Sequence, residues 1–198
     1  MIEVWGEVKK RKSKKLGGSD DKYITSHDNK IYFYSEVNRE SASEINKKID
    51  ELQSKSLNIG HTLDIDYPPT KIFINSGGGG ITSGLCIMDT INRCKVPVNT
   101  YVDGLCASAA TFFSVVGDER YMSETSLMLV HQLTAASWGT YENFEDEKKN
   151  LDLMMDIIRN IYDKYTKIPT RKLNEILKHD LYWDAKTCLK YGMVDEII

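Results

Sequence analysis

Twice in succession the chain runs from a short β-forming stretch, through small residues, into an amphipathic helix. Lys71-Ile-Phe-Ile74 leads into Asn75-Ser-Gly-Gly-Gly-Gly80, then Ile81, Leu85, Met88 and Ile91 recur at helical spacing. After Pro97, Val98-Asn-Thr-Tyr-Val102 leads into Gly104-Leu-Cys-Ala-Ser-Ala-Ala-Thr-Phe112 and an apolar segment through Val116. A strand that is followed by a helix must cross over before the next strand pairs, so neighbouring strands run in the same direction. The alternation predicts an α/β fold, a parallel sheet covered by helices. Lys30–Tyr34, Arg120–Met122 and Leu127–Val130 read as further strands from their β-branched and aromatic content.

The helices outside this repeat are also legible. Ser41 or Ser43 is placed to cap a helix carrying Ile45, Ile49 and Leu52 on one face. Gly60–Thr70, with its Pro68-Pro69 pair, reads as a loop. From Tyr141 to Lys167 one long helix carries Leu151, Met154, Met155, Ile158, Ile161, Tyr162 and Tyr165 as a wide apolar stripe. Such a helix spans roughly 30–40 Å, more than a small domain needs. Its outer half is expected to project and pack on another subunit. Thr170 caps what reads as the last helix, through Lys178.

A length of 198 residues fits one domain with an appendage. The appendage is residues 1–27, where six of the seven residues from Lys9 to Lys15 are positive and Gly17-Gly18 follows. Charges this dense repel one another, so the stretch reads as a solvated arm or a partner contact. The rest, 28–198, forms the folded domain. A net charge of -3 gives no general reason to expect nucleic acid. No apolar run is long enough for a membrane span, and no secretory signal is expected. Cys86, Cys94, Cys106 and Cys188 form no C-x-x-C pair. Free thiols in a reducing, cytoplasmic compartment are expected, with neither metal nor cofactor bound.

Ser108, His131 and Asp180 each occupy a context that suits acyl-transfer chemistry. A serine at a helix start is ordinarily a cap. At such a place, however, its hydroxyl also feels the positive end of the helix dipole, and the following N–H, of Ala109, points where an oxyanion would form. His131 closes an apolar run, whereas His27 and His61 lie in polar loops and His179 merely adjoins Asp180. Asp180 lies between a helix end and the apolar Leu181-Tyr-Trp183, which suits a half-buried carboxylate that fixes an imidazole tautomer. The glycine run has no Gly-Lys-Ser/Thr continuation and no third spaced glycine, so nucleotide binding is disfavoured. Free N–H groups aimed at an oxyanion or a bound peptide fit it better.

Four segments in order resemble the Clp protease proteolytic subunit, the ClpP family of serine peptidases. Ile74-Asn-Ser-Gly-Gly-Gly-Gly-Ile-Thr82 resembles I-N-S-P-G-G-x-x-T. Gly104-Leu-Cys-Ala-Ser-Ala-Ala-Thr-Phe112 resembles G-x-A-A-S-M-G-A-F. Met128-Leu-Val-His-Gln132 resembles a strand ending M-I-H-Q. His179-Asp-Leu-Tyr-Trp-Asp-Ala-Lys-Thr-Cys-Leu-Lys-Tyr-Gly-Met-Val-Asp195 resembles R-D-x-F-x-x-x-x-E-A-x-x-Y-G-L-V-D.

The resemblance implies a crotonase/ClpP-like α/β fold of repeated β-β-α units, with a projecting handle helix at about 141–167. It implies a serine endopeptidase cleaving unfolded polypeptides through an acyl-enzyme, inside two stacked homo-oligomeric rings. ATP would be used by a partner AAA+ unfoldase and not by this subunit. By position, Ser108 is the nucleophile, His131 the base, Asp180 the orienting acid, and the N–H groups of Gly78 and Ala109 the oxyanion hole. Gly77 stands for a proline, Ala109 for a methionine, Cys106 for an alanine and Thr187-Cys188 for Glu-Ala. Residues 56–70 read as an insertion, and the arm departs from the usual axial-loop sequence. The resemblance admits bacterial, organelle-lumen and virus-encoded members. Two other classes share the architecture: a silent ring scaffold, which would normally lack a triad member, and an acyl-CoA-handling crotonase relative, which commonly uses acidic residues instead.

Overall fold

The computed structural model of the protein describes residues 23–198, and an eight-stranded sheet runs through it. Strand β1 (Ile24–His27) turns at Asp28-Asn29 and pairs antiparallel with β2 (Lys30–Phe33). The sheet thus begins inside the stretch assigned to the N-terminal arm. The basic run Lys9–Lys15 lies outside the described residues.

Helix α1 (Arg39–Leu63) is capped by Asn38, whose side chain accepts from the N–H groups of Glu40 and Ser41. Ser41 answers by accepting the Asn38 N–H, which completes a capping box. The expected serine cap is therefore displaced, and Ser41 plays the reciprocal part. The helix also runs past Gly60, where the sequence reads as a loop, to a left-handed Asp64. Gly60 is tolerated there because a Cβ would collide with the ring of Tyr67. Part of the apparent insertion at 56–70 is thus two further turns of α1.

Strand β3 (Thr70–Ser76), helix α2 (Ile81–Asn92), strand β4 (Val98–Ala107) and helix α3 (Ala110–Ser114) form the repeated unit read in the sequence. β2, β3 and β4 pair in parallel. β4 is twice the predicted length and serves two neighbours. Thr100–Val102 pair with β5 (Arg120–Met122), and Leu105–Ala107 pair with β6 (Leu127–Leu129). Gly104, at φ 99, lies at this division, where a Cβ would sit 2.7 Å from Asn75 Nδ2. Only glycine combines that φ with that approach.

One face of the sheet buries Ile31, Phe33, Ile72, Ile74, Val98 and Val102 in the core with α1–α3. The other carries a ladder of half-buried rings, Tyr32, Phe73, Tyr101 and Tyr121, stacked with centroids 5.0, 4.6 and 4.7 Å apart.

Helix α4 (Tyr141–Tyr165) is capped by Thr140 and Asn143 in a second capping box. Only Ile158, Ile161 and Tyr162 of it are buried, all toward its C-terminal end. Its first half stands clear, with Leu153 62% exposed and Trp138 before it 85% exposed. The stripe read in the sequence faces this subunit: Ile158, Ile161 and Tyr162 are in its core and Leu151, Met154, Met155 and Tyr165 are half-buried, while apolar residues outside the stripe, Phe144, Leu153 and Ile157, face outward.

Helix α5 (Thr170–Ile176) follows Pro169, not a threonine cap, and is not the last. Strand β7 (Tyr182–Asp184), helix α6 (Ala185–Lys190) and strand β8 (Glu196–Ile197) complete the chain. β7 pairs antiparallel with β6, and β8 pairs parallel with β5. With β1–β2 this makes the sheet mixed rather than wholly parallel. These late strands have two or three residues, too few for a period-2 pattern to register.

Asn38→Ala removes the acceptor for two N–H groups of α1. It is expected to lower stability by about 1 kcal/mol, read as an earlier denaturant midpoint at matched protein concentration. An unchanged midpoint would show that the cap contributes nothing.

Candidate active site

Ser108 does not open a helix, although its setting in the sequence suggests one. It has φ 54, a left-handed conformation, and α3 begins two residues later. A non-glycine residue there costs about 1–2 kcal/mol, so neighbouring contacts must hold it. Its N–H donates to Leu129 O at 2.8 Å, tying it to the end of β6. Its carbonyl accepts from the Thr111 N–H at 2.9 Å and from Thr111 Oγ1 at 2.6 Å. The turn thus sits where β4 ends, with its hydroxyl on a cavity.

The glycine loop packs directly on this turn. Gly78 has φ 91, and a Cβ there would lie 2.7 Å from Ser108 Cβ and 3.2 Å from Ala109 N. A side chain is excluded, and the glycine loop lies directly against the Ser108–Ala109 backbone. Val37 clamps the loop from the far side. Its N–H donates to Gly78 O at 2.8 Å, and its carbonyl accepts the Gly80 N–H at 2.7 Å. The Gly78 N–H itself makes a long contact, 3.2 Å, to Ser76 Oγ, whose proton is given to Ser35 O.

His131 lies just beyond β6. The next residue, Gln132, donates its N–H to Leu177 O at 2.7 Å and so anchors the segment to the end of α5. His131 Nδ1 is 3.2 Å from Asp180 Oδ1. The other histidines are elsewhere: His27 is 3.0 Å from Asp28, His61 is 3.0 Å from the Tyr67 hydroxyl, and His179 makes no ion pair among the described residues. The expected half-buried carboxylate is not found. The Asp180 side chain is 79% exposed, because Leu181 and Tyr182 turn outward instead of covering it. Water screens such a pair, so within one subunit it orients the imidazole only weakly.

Ser108 and His131 share a cavity of about 240 Å³ with Gly77, Phe112 and Ile158 on its walls. No hydrogen bond joins the Ser108 hydroxyl to His131 among the described residues. Catalytic contacts are commonly loose before substrate arrives. Larger depressions, about 670 and 630 Å³, border α1, but the first is walled by Arg39, Glu44, Lys47 and Glu51, a solvated charged face. The second is lined by Ser83 and Cys86 among others, but neither depression has a histidine on its walls.

Cys106, two residues before Ser108, is no rival nucleophile. Burial pushes its thiol up to about 12, and Cys188 is likewise pushed up to about 12. Both stay protonated and inert. No cluster of three or more His, Cys, Asp or Glu suited to a metal occurs among the described residues. Nor is any helix there long and apolar enough to cross a membrane.

Val37, Ser76, Leu129 and Leu177 are not singled out by sequence. Each acts mainly through its backbone or at long range, and residue type carries no signal of that.

The Clp protease family matches residues 19–198. The ATP-dependent Clp protease proteolytic subunit of Deinococcus radiodurans is 31% identical over 140 residues, 69% of each chain. The ATP-dependent Clp protease proteolytic subunit 2 of Chlamydia muridarum is 33% identical over 135 residues, 66% of each. Among solved structures, a point mutant of ClpP1 from Listeria monocytogenes superposes with a TM-score of 0.74 at 25% identity, over 86% of this chain and 91% of that one. The chain belongs to the Clp protease family of ClpP-type proteolytic subunits, and its α/β fold is the ClpP-like one.

Gly78→Ala keeps the N–H but puts a Cβ 2.7 Å from Ser108 Cβ, so the loop must shift and peptide cleavage is expected to fall at least about 100-fold, as when one oxyanion donor is lost. Asp180→Asn is expected to impair turnover far more than His179→Ala. Steady-state kinetics on a short peptide checks both; similar losses at 179 and 180 would mean that the third member has been misassigned.

Proposed function

We propose, from membership of the Clp protease family and the arrangement around Ser108, that the protein is a serine endopeptidase cleaving unfolded polypeptides through an acyl-enzyme. One observation carries the reading. Ser108 and His131 line one cavity, and Asp180 stands 3.2 Å from the imidazole. Ser108 Oγ attacks the peptide carbonyl while His131 Nε2 takes its proton. Asp180 accepts the Nδ1–H and stabilises the imidazolium. The oxyanion is met by the Ala109 N–H and by the Gly78 N–H, which leaves its long contact with Ser76. His131 then protonates the departing amine, and water, activated by the same imidazole, releases the acyl group. Gly77 and Gly79 line the cavity and leave room for a substrate backbone.

The outward apolar residues of α4 support assembly into two stacked rings, with this helix meeting its counterpart on a facing subunit. A two-fold contact of that kind is self-complementary. Within the chamber so formed, substrate would arrive through an AAA+ unfoldase that spends ATP. The free thiols of all four cysteines are in keeping with a reducing, cytoplasmic setting.

Ser108→Ala is expected to reduce cleavage by on the order of 10⁴–10⁶ while the fold stays intact. A fluorophosphonate should label Ser108 in the wild type and leave the variant unlabelled. Near-normal cleavage by the variant would sink the assignment. Leu153→Asp should split the assembly and reduce activity together, as seen by sedimentation and peptide hydrolysis. Ile158 is unsuited to that test because it belongs to the subunit's own core.

A further inference from the structure

Tyr162, fully buried near the end of α4, places its phenol oxygen 2.6 Å from Thr111 Oγ1. Thr111 Oγ1 in turn donates to Ser108 O at 2.6 Å. A carbonyl can only accept, so the Thr111 proton is committed to Ser108 and the Tyr162 O–H must donate to Thr111. Burial holds the phenol well above its ordinary ionisation range, which keeps that proton in place. Two hydrogen bonds of fixed direction therefore run from α4 to the carbonyl of Ser108.

That carbonyl shares a peptide plane with the Ala109 N–H. In a trans peptide the two point in opposite directions. Holding Ser108 O toward Thr111 aims the Ala109 N–H away from α3's first turn, beside Gly78. We propose that Thr111 and Tyr162 are positioning residues, which lock the Ser108–Ala109 peptide plane so that its N–H meets the developing oxyanion. The seating of α4 is thereby coupled to turnover. The proposal rests on Ser108 being the nucleophile. The pattern that this segment resembles has alanine where Thr111 stands, so the hydroxyl link is not part of that pattern.

The Thr111 N–H, at 2.9 Å, still holds Ser108 O when the hydroxyl is removed. The effect is therefore smaller than the loss of a whole oxyanion donor. Thr111→Val keeps the volume and deletes the hydroxyl; Thr111→Ser restores it; Tyr162→Phe keeps the ring and removes the first donor. Peptide kcat and KM, and the rate of fluorophosphonate labelling, are measured on samples of equal sedimentation coefficient. Thr111→Val is expected to lower kcat and labelling roughly tenfold with KM nearly unchanged. Thr111→Ser should stay near wild type, and Tyr162→Phe should lose a few-fold. If Thr111→Val does not assemble, Tyr162→Phe reads the same link. Wild-type rates in both deletions, a Thr111→Ser variant as slow as Thr111→Val, or a loss confined to KM would each overturn the proposal. A wild type that takes no label at Ser108 would instead overturn the nucleophile reading, and this proposal with it.

Discussion

The left-handed turn at Ser108 is the constraint around which the site is arranged. A serine at φ 54 is unfavourable in isolation, and the fold compensates by satisfying both of its peptide groups. Leu129 takes the N–H, and Thr111 supplies two donors to the carbonyl. Gly78 must then lack a side chain, because the turn occupies the space that a Cβ would need. Gly79 must lack one as well, because Val37 O closes on it from the other side. Two of the four consecutive glycines are thus explained by contact, one from each flank. Gly77 has nothing near it and faces the cavity, which leaves that part of the loop open to a substrate.

The division of β4 makes this arrangement possible. Had β4 paired with one neighbour throughout, its end would be flanked by β5, and no strand would deliver His131. Gly104 lets the strand leave β5 and continue on β6. The Gly104 N–H is held by Ser126 Oγ at 2.7 Å, and that hydroxyl reaches back to Val102 O. Ser108 and His131 therefore emerge from the ends of adjacent parallel strands, on the same side of the sheet. Ligand sites at the carboxyl ends of parallel strands follow from this geometry in open α/β sheets generally.

Sequence periodicity reaches the alternating strands and helices because those patterns are local and repeat over enough residues. Local context and the resemblance, not periodicity, mark Ser108, His131 and Asp180 as candidates, and the structure brings the last two to 3.2 Å and the first two onto one cavity. What escapes is nonlocal or backbone-borne. Asn38 caps α1 ahead of the expected serines because asparagine and serine are equally good caps, and position relative to the first helical residue decides between them. The left-handed Ser108 reads as an ordinary helix start until Gly78 is placed against it. The exposure of Asp180 is hidden in the sequence because Leu181 and Tyr182 are apolar and adjacent, yet both are exposed: Leu181 precedes β7, and Tyr182 begins it opposite Leu129.

Helix α4 meets two environments, its stripe packed on this subunit and Phe144, Leu153 and Ile157 exposed beside it. Toward its C-terminus, Ile158, Ile161 and Tyr162 enter the core, and the Arg120 guanidinium binds Tyr165 O at 2.6 Å and Gly192 O at 2.9 Å while pairing with Asp195. That cation meets the negative end of the helix dipole and fixes this end firmly. Toward its N-terminus the helix has no such anchor among the described residues, only its own capping box and i,i+3 or i,i+4 ion pairs at Lys148 and Lys149. Those exposed pairs contribute little to rigidity. Tyr162 lies within that clamp and is two hydrogen bonds from the Ser108 carbonyl, so the proposed coupling starts from the anchored end of α4 and not from its exposed half.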